Sequence, residues 1–251
     1  MTEPAAPAPG ASVSQILETA SRLFRVTVAK CLPLAMMAVL LAELPNLYWF
    51  ARGHAPETIE YVLPSDPTWW ALSLLGTAVA LYLSSAMMLQ QRSLVAGIAC
   101  PAGAALRAAL HRLPLLLASW VLAQASLAVG LALLVLPGLF LFVCYLVMLP
   151  VVLFEHPSPA MVLVRCVTLV RPQWWKTLAA LVIAVVVVLV CVLVFAAILS
   201  ILAVLITGTA FQAVTAACIV AFLAAAVVFL SALALTLHSA ASYSASASSS
   251  A

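Results

Sequence analysis

Residues 136–176 read LPGLFLFVCYLVMLPVVLFEHPSPAMVLVRCVTLVRPQWWK, and the fold prediction depends most on this segment. A Pro-Gly pair opens an apolar run, which is followed by a glutamate, a basic amphipathic segment and a tryptophan pair. The apolar run is just long enough to cross a ~30 Å hydrocarbon core as an α-helix. Basic amphipathic segments and tryptophans are typical of the membrane surface. The stretch therefore indicates one membrane crossing, a connector on the surface, and the start of the next crossing.

The composition of the whole chain places it among helical membrane proteins. Of its 251 residues, 67% are hydrophobic and only 7% are charged, and the mean hydropathy is +1.26. A soluble domain devotes roughly a quarter of its residues to charge. The short alternating segments of a transmembrane barrel are missing from the sequence. A net charge of +3 is too small to indicate a nucleic-acid partner. We therefore expect an all-α integral membrane protein.

The apolar runs predict six transmembrane helices. Residues 113–154 would measure about 63 Å as one helix, twice the thickness of the membrane, so this run must fold back. Pro137 and Gly138 are the expected turn. The spans are predicted at about 31–50, 69–89, 113–135, 139–154, 174–206 and 210–238. They lie in a membrane domain of residues 12–240, between a disordered N-terminal tail (1–11) and a disordered Ser/Ala tail (241–251).

The basic residues predict how the chain is threaded. With six crossings, nine of the ten Lys and Arg residues fall on one side: Arg22, Arg25, Lys30, Arg92, Arg107, Arg112, Arg165, Arg171 and Lys176. Only Arg52 falls on the other side. The positive-inside rule then places both termini and the basic connectors in the cytoplasm.

Basic amphipathic segments precede the first, third and fifth spans. In the second and third of these segments, Pro101 and Pro159 each stand six residues before an arginine, Arg107 or Arg165. This spacing predicts three related units, each made of a cytoplasmic amphipathic helix followed by a helical hairpin. Chance recurrence of short basic segments in an alanine-rich sequence is the alternative. The first segment, residues 12–30, is expected to lie in the membrane interface.

The sequence favours a non-enzymatic protein without a cofactor or a metal. It contains no nucleophile, metalloprotease or phosphate-loop motif. The four histidines, including His238, are isolated in the sequence, and the six cysteines lack metal-ligand spacing. A polar cavity joining Glu43 or Glu155 to a histidine would reopen the enzymatic alternative.

Positive charge beside the span ends is the main functional signal. Cations at the membrane surface attract anionic phospholipid with on the order of 1 kcal/mol each, although the same residues could serve only to fix the topology. The predicted headgroup contacts are Arg107, Arg112, Arg165, Arg171 and Lys176. The expected partners are the phospholipid bilayer, anionic lipid in particular, and a membrane-protein partner or a second copy of the chain.

A permease or channel subunit for a small neutral or apolar solute is the alternative function. Spans two to six contain almost no ionisable residues, which argues against transport of a charged substrate. The serines of these spans and Gln124 would have to line a continuous cavity. Small hydroxyl side chains more often mediate helix packing.

The opening stretch resembles a bacterial family, the membrane domain fused to glycerophosphodiester phosphodiesterases, together with its stand-alone inner-membrane relatives. The matching residues are Leu136, Pro137, Gly138, Glu155, Arg165, Arg171, Trp174 and Trp175. Cys166 stands where the family usually has serine, and Pro172-Gln173 where it has glycine and a basic residue. The resemblance covers about residues 90–180. It implies a six-helix domain of the bacterial inner membrane with a role in membrane or envelope homeostasis. It does not imply the phosphodiesterase reaction, which belongs to a separate soluble barrel.

Overall fold

The computed structural model describes residues 12–52, 66–98, 101–133, 135–155, 158–205 and 209–249. Within these ranges the chain is helical and contains no strand, so the all-α prediction is confirmed. The helices are α1 (Val13–Ala42), α2 (Leu44–Ala51), α3 (Pro67–Val95), α4 (Ala102–Leu133), α5 (Val135–Tyr145), α6 (Met148–Glu155), α7 (Pro159–Val170), α8 (Trp174–Leu205) and α9 (Thr209–Ser249). A 3-10 turn over Arg171–Gln173 joins α7 to α8.

Several of these helices have the length and composition of membrane spans. Five stretches of the described chain qualify individually: Val13–Ala42, Pro67–Val95, Ala102–Leu133, Pro159–Leu199 and Ala217–Ser242. A sixth is obtained when α5 and α6, which are bent by 42° relative to each other, are counted as one broken span. Large apolar side chains of α8 lie exposed on its surface, as a lipid-facing helix requires.

Helices α4 and α5 form a tight antiparallel hairpin. Helix α4 ends at Leu133 and α5 begins at Val135, so Pro137 and Gly138 lie in the first turn of α5 instead of forming the break themselves. Proline is tolerated there because its missing N–H would have no acceptor inside the helix.

Two glycines allow these helices to approach closely. A Cβ atom on Gly138 would lie 2.6 Å from Cγ of Leu131, and one on Gly130 would lie 3.2 Å from the Cα atom of Gly138. Residues eight positions apart are separated by about 12 Å along a straight helix. The contact between Gly130 and Gly138 therefore shows that the chain has reversed direction.

Two of the three basic amphipathic segments continue directly into a span. Helix α1 runs for 30 residues through Pro33, and α4 runs for 32 residues through Pro114. In the third case Pro172 lies in the 3-10 turn between α7 and α8. An internal proline removes one helical hydrogen bond without ending a well-packed apolar helix. The first segment also packs on the protein, since Ile16 and Ala20 are buried.

Helix α3 ends in a hydrogen-bonded glycine motif that positions the side chains of its last turn. Gly97 has a φ of +69°, a conformation that residues with a Cβ atom rarely adopt. Its N–H donates to the carbonyl of Leu94, and the N–H of Ile98 donates to that of Ser93. This paired pattern terminates the helix at a defined residue, one turn after Arg92.

Helix α9 continues through most of the Ser/Ala tail. The chain is helical as far as Ser249, whereas the composition of residues 241–251 predicts disorder. Alanine has the highest helix propensity, and this segment contains no glycine or proline that would end the helix. The N-terminal tail, residues 1–11, lies outside the described residues.

The largest apolar core lies where α4, α5, α6, α7 and α9 meet. Its fully buried side chains include Leu116, Val143, Val147, Val151, Leu169, Leu233 and Leu237.

A buried polar contact joins α3 to α9 beside this core. Gln91 Nε2 donates to the carbonyl of Val228 at 3.1 Å, and Ser231 Oγ donates to Gln91 Oε1 at 3.0 Å. Each of these buried polar groups is therefore satisfied by a neighbour.

Candidate functional site

The C-terminal end of α6 is contacted by cationic side chains from other helices. The last carbonyl groups of a helix have no hydrogen-bond donor within it and carry the negative end of the helix dipole. Arg112 of α4 donates through Nη1 to the carbonyl of Leu153 and lies 3.4 Å from that of Val152. Its guanidinium group therefore supplies the missing donors and places a positive charge at the negative end of α6.

Arg92 of α3 stacks on Phe154, the next residue of α6. Its guanidinium carbon lies 3.9 Å from the centroid of the Phe154 ring. At this distance the cation is attracted to the negative face of the aromatic ring. The same ring lies 6.2 Å from the ring of His238 in α9. Phe154 is therefore close to both a cation and an imidazole.

Glu155, the last residue of α6, is shared by two partners. Arg165 Nε of α7 donates to Oε2 at 2.6 Å, and His238 Nε2 lies 3.1 Å from Oε1. The histidine donates this bond when Nε2 carries a proton. The Glu155 side chain is 24% exposed and that of His238 is 13% exposed. The carboxylate thus ties α6 to α7 and α9. We call Arg92, Arg112, Phe154, Glu155, Arg165 and His238 the α6-end cluster.

The enzymatic alternative requires a polar cavity that joins Glu43 or Glu155 to a histidine. The contact between Glu155 and His238 meets one part of this requirement. A carboxylate beside a histidine is the unit that orients a general base. Among the described residues, however, no hydroxyl or thiol group is hydrogen bonded to His238. Within this part of the chain, the pair therefore has no side-chain nucleophile to activate.

The five predicted headgroup contacts fall into two groups. Arg112 and Arg165 are held by α6, through its backbone and through Glu155 respectively. Arg107, Arg171 and Lys176 are exposed. Neither Arg107 nor Arg171 forms an ion pair with any residue that the structure describes. The Arg165 side chain is exposed as well, so of the five cations only Arg112 is partly buried.

The tryptophan pair at the start of α8 has two distinct environments. Trp174 is partly buried, and its ring stacks on Phe140 with the centroids 5.8 Å apart. Trp175 is 75% exposed. Arg171 precedes it by one helical turn and Lys176 follows it. We call Arg171, Trp175 and Lys176 the α8-start surface. An exposed indole beside cations is typical of the membrane–water interface.

The small polar residues of the spans are mostly engaged with the backbone or with one another. Ser73 and Ser85 donate to carbonyls one turn earlier in their own helix. Ser126 lies 2.8 Å from the hydroxyl of Tyr145 in the antiparallel partner. Ser119 is buried without a partner in the described chain, and Gln124 is exposed. Bonds of this kind are typical of helix packing in a membrane.

Sequence reasoning does not identify Arg92 or His238 as members of a site. The charge pattern marks Arg92 only as a topology residue, and His238 stands isolated in the sequence. In the sequence, Arg92 is marked only by its place in the polar run Gln90-Gln91-Arg92 at the end of an apolar span. His238 is marked only as the last ionisable residue of span six. The partner of His238 lies 83 residues away in the sequence, so neither signal identifies its contact.

Comparison of the chain with protein-family models, with curated proteins and with solved structures finds no match. The family resemblance of residues 90–180 therefore stays a prediction.

Proposed function

We propose that this chain is a non-enzymatic, multi-pass protein of the bacterial inner membrane that binds anionic phospholipid at the cytoplasmic surface and serves membrane or envelope homeostasis. The observation that carries this proposal is the α8-start surface, where Trp175 is 75% exposed between Arg171 and Lys176. In an otherwise apolar molecule, an exposed indole flanked by two exposed cations fits the boundary between acyl chains and headgroups.

The proposed topology has six spans, with α5 and α6 together forming the fourth. The reversal between α4 and α5 makes the number of crossings even, which keeps both termini in the cytoplasm. Nine of the ten Lys and Arg residues then lie on the cytoplasmic side. The three basic segments in α1, α4 and α7 are the connectors of three pseudo-repeats in this proposal.

The chemistry of the α8-start surface suits a lipid with an anionic headgroup. The indole of Trp175 lies at the level of the glycerol backbone, and the two cations reach the phosphate. Long cationic side chains place their charge in the headgroup layer while their stems cover apolar surface. Each such cation contributes about 1 kcal/mol near an anionic membrane. Exposed Arg107 on α4 adds a further contact.

The permease or channel alternative has less support. It needs polar side chains directed into a continuous path, whereas Ser73 and Ser85 bond to their own helices and Gln124 is exposed. The alternative ligand of the α8-start surface is a membrane-protein partner or a second copy of this chain.

Native mass spectrometry of the full-length protein in mild detergent tests the proposal. The R171Q/K176Q double variant should retain phosphatidylglycerol roughly 10- to 30-fold less well than the unaltered protein, since two cation contacts are lost. The matched control is R22Q/R25Q, which removes the same charge from exposed positions of α1 that have no neighbouring tryptophan. Circular dichroism checks that all three proteins are equally helical.

Two results would contradict this function. Unchanged lipid retention in R171Q/K176Q would show that the α8-start surface does not bind headgroups. Equal losses in both double variants would assign retention to total charge and not to this surface. A W175A variant should also lose retention without any change in charge, which separates the contribution of the indole.

A further inference from the structure

We infer that Arg92 and Arg165 form a binding site for one phosphate group at the outer side of the α6-end cluster. This site goes beyond the lipid contact proposed for the α8-start surface and uses different residues. The phosphate is either that of a phospholipid headgroup or free inorganic phosphate, since both present the same oxygen atoms to guanidinium groups.

The two arginines have unused hydrogen-bond donors. Arg92 lies with its guanidinium carbon 3.9 Å from the Phe154 ring centroid, and none of its five N–H groups is hydrogen bonded to a described residue. Arg165 donates to Glu155 only through Nε, which leaves both Nη groups unpaired within the described chain. A planar fork of N–H donors matches the geometry of phosphate oxygens.

Positive charge is in excess at this position. The α6-end cluster contains three guanidinium groups and one carboxylate, which leaves an excess of two positive charges before His238 is counted. Glu155 neutralises Arg165, so the excess lies on Arg92 and on Arg112, which is directed to the backbone of α6. Arg92 and Arg165 both lie within electrostatic reach of the His238 ring. A bound phosphate would reduce the repulsion among these cations.

The two guanidinium groups are accessible from outside the protein. Arg92 is exposed and the Arg165 side chain is 46% exposed, so each guanidinium group is open to a phosphate. Phe154, on which Arg92 stacks, and the largely buried His238 lie beside these groups. Solvent on one side and packed rings on the other strengthen the electrostatic contacts relative to those of a cation in bulk water.

The backbone that carries the two arginines is already ordered. Arg92 lies in the last turn of α3, whose end is fixed by the Gly97 motif. Arg165 lies in the middle of α7 and is held by Glu155. Neither backbone has to be ordered when the ligand binds, which removes a major cost of binding.

Titration of the detergent-purified, full-length protein with inorganic phosphate and with short-chain phosphatidic acid tests the site. Isothermal calorimetry or ³¹P line broadening supplies the affinity. R92Q and R165Q should each weaken binding roughly tenfold, as the loss of charge-assisted hydrogen bonds requires. The matched control R25Q removes an exposed arginine of α1 and should leave the affinity unchanged.

A variant with the opposite effect makes the test specific. E155Q removes the negative charge that competes for Arg165, so it should bind phosphate more tightly than the unaltered protein. R92K keeps the charge but loses the planar fork, and it should fall between R92Q and the unaltered protein. Because Arg92 is exposed and only stacks on Phe154, its variants should fold even where R165Q does not.

The outcomes separate the two sources of phosphate. If R92Q loses binding of both inorganic phosphate and phosphatidic acid, the site takes free phosphate. If it loses binding of phosphatidic acid alone, the site takes a lipid headgroup. Equal affinities in R92Q, R165Q and R25Q would overturn the inference, and so would weaker binding in E155Q. Failure of the α8-start surface is measured with R171Q/K176Q instead, so the two proposals fail independently.

Discussion

The guanidinium group of Arg112 in α4 donates to the backbone carbonyl of Leu153 in the last turn of α6. These residues lie 41 positions apart, on the two sides of the α4–α5 reversal. Because an unpaired carbonyl is costly in an apolar environment, Arg112 has a structural role at the end of α6. Its contact also fixes how α4 lies beside the bent α5–α6 pair.

Replacing Arg112 by methionine should destabilise the protein by about 1–3 kcal/mol, since the α6 carbonyls lose a charged donor and stay buried. The measurement is the midpoint of denaturant or SDS unfolding in detergent. R107M in the same helix is the control, because Arg107 is exposed and forms no ion pair with a described residue. An equal shift in both variants would contradict a capping role for Arg112.

The glycine contact of the α4–α5 hairpin leads to a second prediction. G138A should cost about 1–3 kcal/mol because the added methyl group would meet Leu131, whose backbone nitrogen would lie 3.0 Å from the new Cβ atom. G103A at the start of α4 should be neutral or stabilising by about 0.5–1 kcal/mol, since nothing lies within 4 Å of its Cβ position. Thermal unfolding of both variants, side by side, measures the difference. Comparable stability would show that the helices do not meet at Gly138.

The stability of the folded protein should depend on pH through Asp66, which lies at the start of α3. The backbone N–H of Thr68, followed by the hydroxyl of Tyr48, lowers the pKa of Asp66 below its usual value. Both bonds measure 2.9 Å, and the second joins α3 to α2. A lowered pKa in the folded state means that the stabilisation is present above the unfolded pKa and is lost as the pH falls through the folded pKa.

The stabilisation from Asp66 should therefore decline as the pH falls below about 4. D66N keeps a side-chain acceptor for the helix start but cannot titrate. The two proteins differ only at residue 66, so the difference in unfolding midpoint between the unaltered protein and D66N isolates Asp66. That difference should shrink on acidification from about pH 7 to about pH 3. A difference that is constant with pH would rule out the charged bonds.

The helical class and the approximate spans can be predicted because they depend on composition and on runs of apolar residues. The ion pair between Glu155 and Arg165 can also be predicted from the sequence. The two residues stand only ten positions apart, at the end of one helix and inside the next. Helix α8 begins at the tryptophan pair and Trp175 is exposed, whereas the assignment of this pair to the membrane interface stays a prediction.

The remaining contacts of the α6-end cluster cannot be read from the sequence. Arg92, Arg112 and His238 reach it from three helices that are distant along the chain, and their side-chain directions depend on tertiary packing. The sequence assigns Arg112 to lipid because a cation beside an apolar run usually faces headgroups. The bent end of α6 instead presents backbone acceptors to it. Likewise, the sequence predicts that Gly138 breaks a helix, whereas it serves close packing.

The prolines of the long helices have a mechanical consequence. Pro33 in α1 and Pro114 in α4 lie where the basic half of each helix meets the apolar half, and Pro172 lies at the same junction before α8. Each removes a backbone hydrogen bond at that level, and helices bend most easily where such a bond is missing. The basic segments are nevertheless packed on the protein, since Ala20, Ala109 and Cys166 are buried. Side-chain packing, and not an unbroken ladder of backbone hydrogen bonds, therefore keeps each basic segment in place relative to the apolar helix that follows it.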